Sequence, residues 1–305
     1  MRAHVDGRLV DADAAALPVD DRGVTLGDAV TEPVRVAGGT PVAWEAHVDR
    51  LRDACEALDH DAPPADLRTR VDETLAANDH DDALVRTTIT RGRSGGSSTL
   101  PDAARLRPPA DPDPTVVVTL EPLIPDRDPI RLQTVRSRAI PPAAVPAASA
   151  THNRLDAVRA QAELRRAAPP DDDPADEALV LGSGGRSPSA SRTQSDGSHV
   201  VGGTVSDPMF VADDALRLPA LDDRTACTAT RGLVRDLARS EGLPVAEGAY
   251  APADFRDADE AFVAEPTAGV RPVARIDGVA VGGGPVTRLL AHLYDERFVG
   301  DDADA

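Results

Sequence analysis

The chain has 305 residues, with 33 basic against 52 acidic side chains for a net charge of −19, and 41% of its residues are hydrophobic. That length predicts one large or two medium domains with a real core, and no stretch is apolar for long enough to cross a membrane. Acidic surfaces repel phosphate backbones and one Trp, two Tyr and four Phe leave little for base stacking, so nucleic-acid binding is disfavoured.

The opening, MRAHVDGRLVDAD, carries charges where a secretion signal needs an apolar run, so a cytoplasmic protein is expected. Val5, Leu9 and Val10 flank Asp6-Gly7, a dipeptide suited to a tight hairpin. Trp44, Val48, Leu51, Cys55 and Leu58 recur at alternating spacings of four and three, which predicts a helix over 43–58. Strands are expected at 84–90 and 115–123. The stretch 139–150, AIPPAAVPAASA, has three prolines among small residues and suits an extended linker. It separates an N-terminal α+β domain (1–138) from a C-terminal α+β domain (151–305).

The second half opens with a helix expected over 151–167 and stopped by Pro169-Pro170. A strand at 177–181 runs into a Gly/Ser loop, 182–195, and another strand surrounds Phe210 and Val211. A helix over 230–240 turns Leu233, Val234 and Leu237 inward, with Gly242 as its C-cap. A strand at 260–264, a hairpin-like pair around Asp277-Gly278 and a short helix over 286–294 complete the pattern. No internal repeat is visible.

Generic chemistry is sparse. Gly182-Ser183-Gly184-Gly185 follows a strand, but Pro188 and the lack of helical periodicity deny it a helix dipole, so it reads as a surface insertion. Cys55 and Cys227 cannot form a disulfide framework or a tetrahedral thiolate site, and the seven histidines have no ligand spacing, so no metal is expected. No Gly-x-Ser-x-Gly elbow is present. The acidic runs at Asp171–Asp173 and at Asp301, Asp302 and Asp304 read as solvated faces.

Residues 21–51, DRGVTLGDAVTEPVRVAGGTPVAWEAHVDRL, carry Asp21-Arg22-Gly23, Gly27-Asp28 and a His47-to-Leu51 helix motif. Thr31-Glu32-Pro33 stands between them. Thr90-Arg91-Gly92, Asp176-Glu177-Ala178-Leu179, Gly203 to Ser206, Thr230-Arg231, Ala258 to Phe262 and Val270 to Val273 follow in order. Together they resemble the class IV pyridoxal-phosphate enzymes, which include branched-chain and D-amino-acid aminotransferases and aminodeoxychorismate lyase. The resemblance implies a two-domain α+β fold (fold type IV) with the cofactor cleft between the domains, and a homodimer. It also implies pyridoxal phosphate as cofactor and, for an active member, an amino acid or aminodeoxychorismate as substrate. Asn153-Arg154-Leu155 is nearer the lyase form than the aminotransferase form, which commonly has Tyr at the Arg154 position.

By that resemblance the Schiff-base lysine falls at Ala150, and the carboxylate that faces the pyridine nitrogen falls at Gly202. All 33 cations are arginine, so no lysine can substitute. With 40 Asp and 12 Glu, the composition resembles extreme halophiles, but surface selection has no reason to remove a buried catalytic amine. Three phosphate positions are implied as cofactor-binding: Arg50, Thr230 and Thr267. A guanidinium fork and a helix N-terminus both suit a phosphate. Read without the family, Arg50 is a surface charge. Asp207 replaces an Asn, Pro208 puts the local strand geometry in question, and Cys227-Thr228 replaces a Pro-Gly. The expectation is a protein impaired in this chemistry. The alternatives are an enzyme using the cofactor in a non-standard way and a non-catalytic partner of an active paralogue.

Overall fold

The computed structural model describes residues 1–93, 106–123, 126–141, 144–146, 150–170, 173–182, 199–220 and 227–300. The acidic tail 301–305 and all but the first residue of the expected 182–195 loop lie outside these residues, as do Asp171 and Asp172. The first elements are β1 (Arg2–Val5), β2 (Arg8–Asp11), α1 (Arg22–Leu26), β3 (Ala29–Ala37), β4 (Thr40–Pro41), α2 (Trp44–Ala57), α3 (Leu67–Asn78), β5 (Ala83–Thr90), β6 (Val116–Pro122) and β7 (Ile130–Arg138). They are followed by α4 (Leu155–Ala167), β8 (Glu177–Leu181), β9 (Val200–Gly202), β10 (Asp207–Ala212), β11 (Ala215–Pro219), α5 (Ala229–Ser240) and β12 (Val245–Gly248). The last elements are α6 (Pro252–Arg256), β13 (Glu260–Glu265), β14 (Gly269–Ile276), β15 (Val279–Ala280) and α7 (Pro285–Phe298).

The chain divides into two compact units. The first comprises Met1–Ile124 with Ser149–Asn153, and the second Pro125–Ala148 with Arg154–Ala305. The chain therefore first crosses before β7, ahead of the proline-rich 139–150 stretch, and passes back to the first unit for 149–153 before returning to the second. The reason is long-range pairing: β7 lies between β14 and β8, parallel to both, so it belongs to the second sheet.

The first unit is an antiparallel sheet in the order β2-β1-β6-β5-β3-β4. Its opening hairpin turns through Asp6 and Gly7, both at positive φ (45° and 80°), as a two-residue turn between right-twisted strands requires. The α2 stripe packs Leu51, Ala54 and Cys55 onto the sheet, with Trp44 and Leu58 at the margin. Beside it α3 contributes Leu67, Val71 and Leu75 at four-residue spacing. Each fully buried Leu or Val contributes roughly 1.5–3 kcal/mol by leaving water. Pro33, inside β3, has no N–H to donate. It pairs with Arg86 of β5, while among the described residues the other edge of β3 is bridged only near its two ends, by the 150–152 segment and by β4.

In the second unit the sheet runs β12-β11-β10-β13-β14-β7-β8-β9, with β15 paired to β14. Phe210 anchors its core, 5.0 Å from Tyr250 and 4.5 Å from Phe255 by ring centroids. On β7 and β8, Val135, Ala178 and Val180 receive Ala160 and Leu164 of α4. That helix starts at Leu155, four residues later than the sequence suggests, because Thr151 and its neighbour are drawn into backbone bonds with β3. Pro208 leaves β10 regular: residues 207–211 pair with β13, and β11 joins on the other side only from Phe210. The last helix, α7, extends four residues past the expected end at 294, and at its start buried Glu260 accepts from the backbone N–H groups of Gly284, Val286 and Thr287.

Candidate functional site

In the first unit the sequence motifs converge on two aspartates, Asp21 buried and Asp28 half-buried. Asp21 caps α1, accepting from Gly23 N at 2.7 Å, and also accepts from the hydroxyls of Thr90 (2.8 Å) and Thr115 (3.1 Å). Asp28 accepts from Arg22 Nε (2.8 Å), Arg91 Nε (2.9 Å) and His60 Nε2 (3.0 Å). Burial alone would raise the Asp28 carboxyl, but the hydrogen bonds from His60, Arg91 and Arg22 outweigh it and hold the group far below the ordinary carboxylate range. Arg22 also reaches the carbonyls of Leu106 and Arg107, and Arg91 those of Leu58 and Asp59. Gly92 sits at φ +80°, and a Cβ there would lie 1.7 Å from the Asp113 carbonyl oxygen. Asp-Arg-Gly, Gly-Asp and Thr-Arg-Gly are thus parts of one lattice that fixes loops around the sheet.

The α2 motif points inward. His47 and Arg50, three residues apart, share a helix face, and both engage Glu32 of β3. The distances to Glu32 Oε1 are 2.7 Å from His47 Nδ1 and 3.2 Å from Arg50 Nε. Arg50 is therefore not the free surface charge that a reading without the family suggests: its side chain is only 20% exposed. Glu32 Oε2 is buried with no hydrogen-bond partner among the described residues. Ala150 lies at the edge of the same strand, its carbonyl accepting from Thr31 N at 2.7 Å, while His152 N donates to Ala29 O.

In the second unit Gly202 ends β9, opposite Val180 of β8. The turn after it closes with Gly203 N donating to Ser206 O. Glu177, first residue of β8, holds this turn from inside. It accepts from Val205 N (2.7 Å), Ser206 N (2.9 Å), Ser206 Oγ (2.7 Å) and Thr204 Oγ1 (3.3 Å). A Cβ at position 203 would lie 2.3 Å from Glu177 Oε1, which explains the glycine. Thr204 is further tied to α4, its carbonyl accepting from Arg154 and its hydroxyl from Gln161. Two motifs well separated in sequence are one device.

The other two expected positions lie near carboxylates. Thr230 is the second residue of α5 and is buried. The cap of that helix is Thr228, whose hydroxyl accepts from Arg231 N; its extended φ of −78° suits a residue other than glycine. Buried Asp207 accepts from both Thr228 N and Thr228 Oγ1 at 2.7 Å. Thr267 follows β13 and hydrogen-bonds to the Glu265 carboxyl. Burial raises the Glu265 carboxyl, and nearby Glu177 raises it further; Arg271 at 3.8 Å and the Thr267 bond only partly offset this. Sequence reasoning missed Glu32 and Glu265 as partners of the expected residues. The available signal for Glu265 was an acid ending the run EAFVAE, in which every residue is buried.

The fold and these motifs have counterparts among known proteins. The class IV amino-transferase family matches residues 29–276. A D-alanine aminotransferase of Listeria innocua is 26% identical over 320 residues, covering 98% of this chain and 96% of that protein. The 4-amino-4-deoxychorismate lyase of Pseudomonas aeruginosa superposes with a TM-score of 0.79 at 28% identity, covering 99% of this chain and 100% of that one. A branched-chain aminotransferase of Thermoproteus uzoniensis, at 23% identity, reaches a TM-score of 0.83 over 99% of this chain and 96% of its own. With most of its length matched and its two-sheet fold shared, the chain belongs to the class IV amino-transferase family.

Proposed function

We propose that this chain is a class IV amino-transferase relative that does not carry out Schiff-base chemistry, and that Arg50, Thr230 and Thr267 are the remains of a phosphate site. The family's cofactor, pyridoxal phosphate, supplies an aldehyde for an amine and a ring that withdraws electrons. The residues present do not fit it. The sequence has no lysine, and Ala150 stands at the position for the amine. Gly202 places no carboxylate opposite a pyridine nitrogen, and the nearby Glu177 is committed to the 203–206 turn. Arg50 is bonded to Glu32, whose second oxygen is a buried acceptor and not a donor for phosphate. The absence of any lysine is the observation that carries the reading.

The test is an absorbance titration with pyridoxal phosphate at high salt, followed by borohydride reduction and intact mass. The wild type should give no reduced adduct; a mass increase at stoichiometric yield would sink the proposal. The double variant Ala150→Lys with Gly202→Glu should gain the adduct. The Ala150 backbone is already fixed by Thr31, and Gly202 is not among the glycines at positive φ, so both side chains are compatible with the backbone.

A second reading, a non-catalytic partner for a second copy or for an active paralogue, is favoured by apolar exposure around α1. Val19 is 89% exposed and Val24 56%. Leu106, 62% exposed, is fastened beside α1 by the bond from Arg22 to its carbonyl. Light scattering that shows a monomer, together with no homologue in native pull-downs, would dismiss this reading.

A further inference from the structure

A cavity of about 370 Å³ opens in the first unit, and none of Arg50, Thr230 or Thr267 lines it. Its volume falls within the range of small-molecule sites, roughly 300–1,000 Å³. Asp6 of the β1–β2 turn, Asp113 ahead of β6 and Arg70 of α3 supply its polar groups. Ile89 near the end of β5, Val116 at the start of β6 and Pro64 between α2 and α3 supply apolar wall. Arg70 has donors to spare. Its side chain is only 16% exposed, and its Nε is buried with no hydrogen-bond partner among the described residues. Asp66, one turn back on α3, places Oδ1 3.0 Å from that nitrogen as an ion pair, out of hydrogen-bond alignment. A guanidinium carries five N–H donors in a fixed fork, so most of the fork stays available after one ion pair. On the acceptor side, Asp6 uses Oδ1 for Val116 N at 2.7 Å, and Asp113 is exposed at the margin.

We propose that this cavity binds an apolar α-amino acid as its zwitterion. Each part of such a molecule answers one part of the lining. Its carboxylate accepts from Arg70, its ammonium donates to Asp6 and Asp113, and its side chain covers Ile89, Val116 and Pro64. Simpler ligands answer less. An apolar acid has nothing to donate to the two aspartates, and an apolar amine gives the guanidinium nothing to donate to. Glycine leaves the apolar wall in water. The site uses neither a lysine nor any of the three phosphate positions, so it does not depend on pyridoxal phosphate.

The experiment is a calorimetric titration of the full chain with L-leucine, then with 4-methylpentanoate, 3-methylbutylamine and glycine. The leucine titration is repeated on Arg70→Met and Asp113→Asn, with circular dichroism to check the fold of each. Methionine keeps an apolar stem in place of Arg70 and removes the donors. The expected result is saturable leucine binding by the wild type. Each partial ligand, and leucine with Arg70→Met, should bind at least about tenfold more weakly, as losing one hydrogen bond to a charged group predicts. Asp113→Asn, at an exposed position, should weaken leucine in the same direction and carries the test if Arg70→Met does not fold. No saturable leucine binding by the wild type overturns the site, and so does leucine bound equally tightly by the folded variants. Binding of 4-methylpentanoate as tight as that of leucine overturns the zwitterion. A borohydride-reducible adduct on the wild type overturns the proposed function without touching this cavity.

Discussion

Replacing Asp28 by Asn tests whether the motif lattice of the first unit is structural. Asp28 accepts three hydrogen bonds, two from guanidinium groups and one from an imidazole, and its side chain is 16% exposed. The amide keeps one acceptor oxygen, but turns an NH2 group toward donors and removes the carboxylate charge that Arg22 and Arg91 face. Breaking one side of a buried, hydrogen-bonded charge cluster costs about 3–5 kcal/mol. The lower half of that range applies, because both arginines retain main-chain carbonyl partners. Trp44, the single tryptophan, lies in this unit on α2 under the Arg68 guanidinium, so its fluorescence during urea unfolding reports the right region. A loss of about 3 kcal/mol in Asp28→Asn is expected; a loss below about 1 kcal/mol would refute the argument. The pH dependence has a definite sign. The carboxyl is depressed in the folded state, so its stabilisation is complete above the ordinary carboxylate range. It is lost as pH falls below that range toward the folded-state value, and Asp28→Asn should remove this part of the acid sensitivity.

Other outcomes follow from the second unit. Gly203→Ala drives a Cβ to within 2.3 Å of Glu177 Oε1, so a loss of about 1–3 kcal/mol is expected, together with faster amide exchange at Val205 and Ser206. Unchanged exchange at those two amides would show that Glu177 does not hold the turn. Glu265→Gln should stabilise the protein at neutral pH, because burial raises the Glu265 carboxyl and the charged form is a burden to the folded state. The gain over wild type should shrink as pH falls through the raised folded-state value and vanish below the ordinary glutamate range, where the unfolded chain is protonated too. A gain independent of pH would contradict the assignment.

Much of the fold was legible from local pattern. The Asp6-Gly7 hairpin, the α2 stripe and the Gly242 cap, whose φ is +74°, are set by residues adjacent in sequence, and local backbone preferences are enough to specify them. The helix α3 was not evident, since its apolar positions recur only every fourth residue and form a narrow stripe. Several strands were equally obscure: β3 is buried at eight of its nine positions, so it shows no alternation between faces.

The sequence by itself determined that position 150 carries no lysine amine, since the chain contains no lysine, whatever its fold. It also determined the order of the motifs, which carries the family. Only the tertiary structure decided what those motifs do. Thr90 meets Asp21 across 69 residues, and Glu177 meets Ser206 across 29. The carboxylate partners of Arg50 and Thr228 likewise come from strands remote in sequence. Hydrogen bonds and charges act over a few ångströms in space, while sequence patterns register only neighbours along the chain, so the partners of these groups become visible only when the strands are paired.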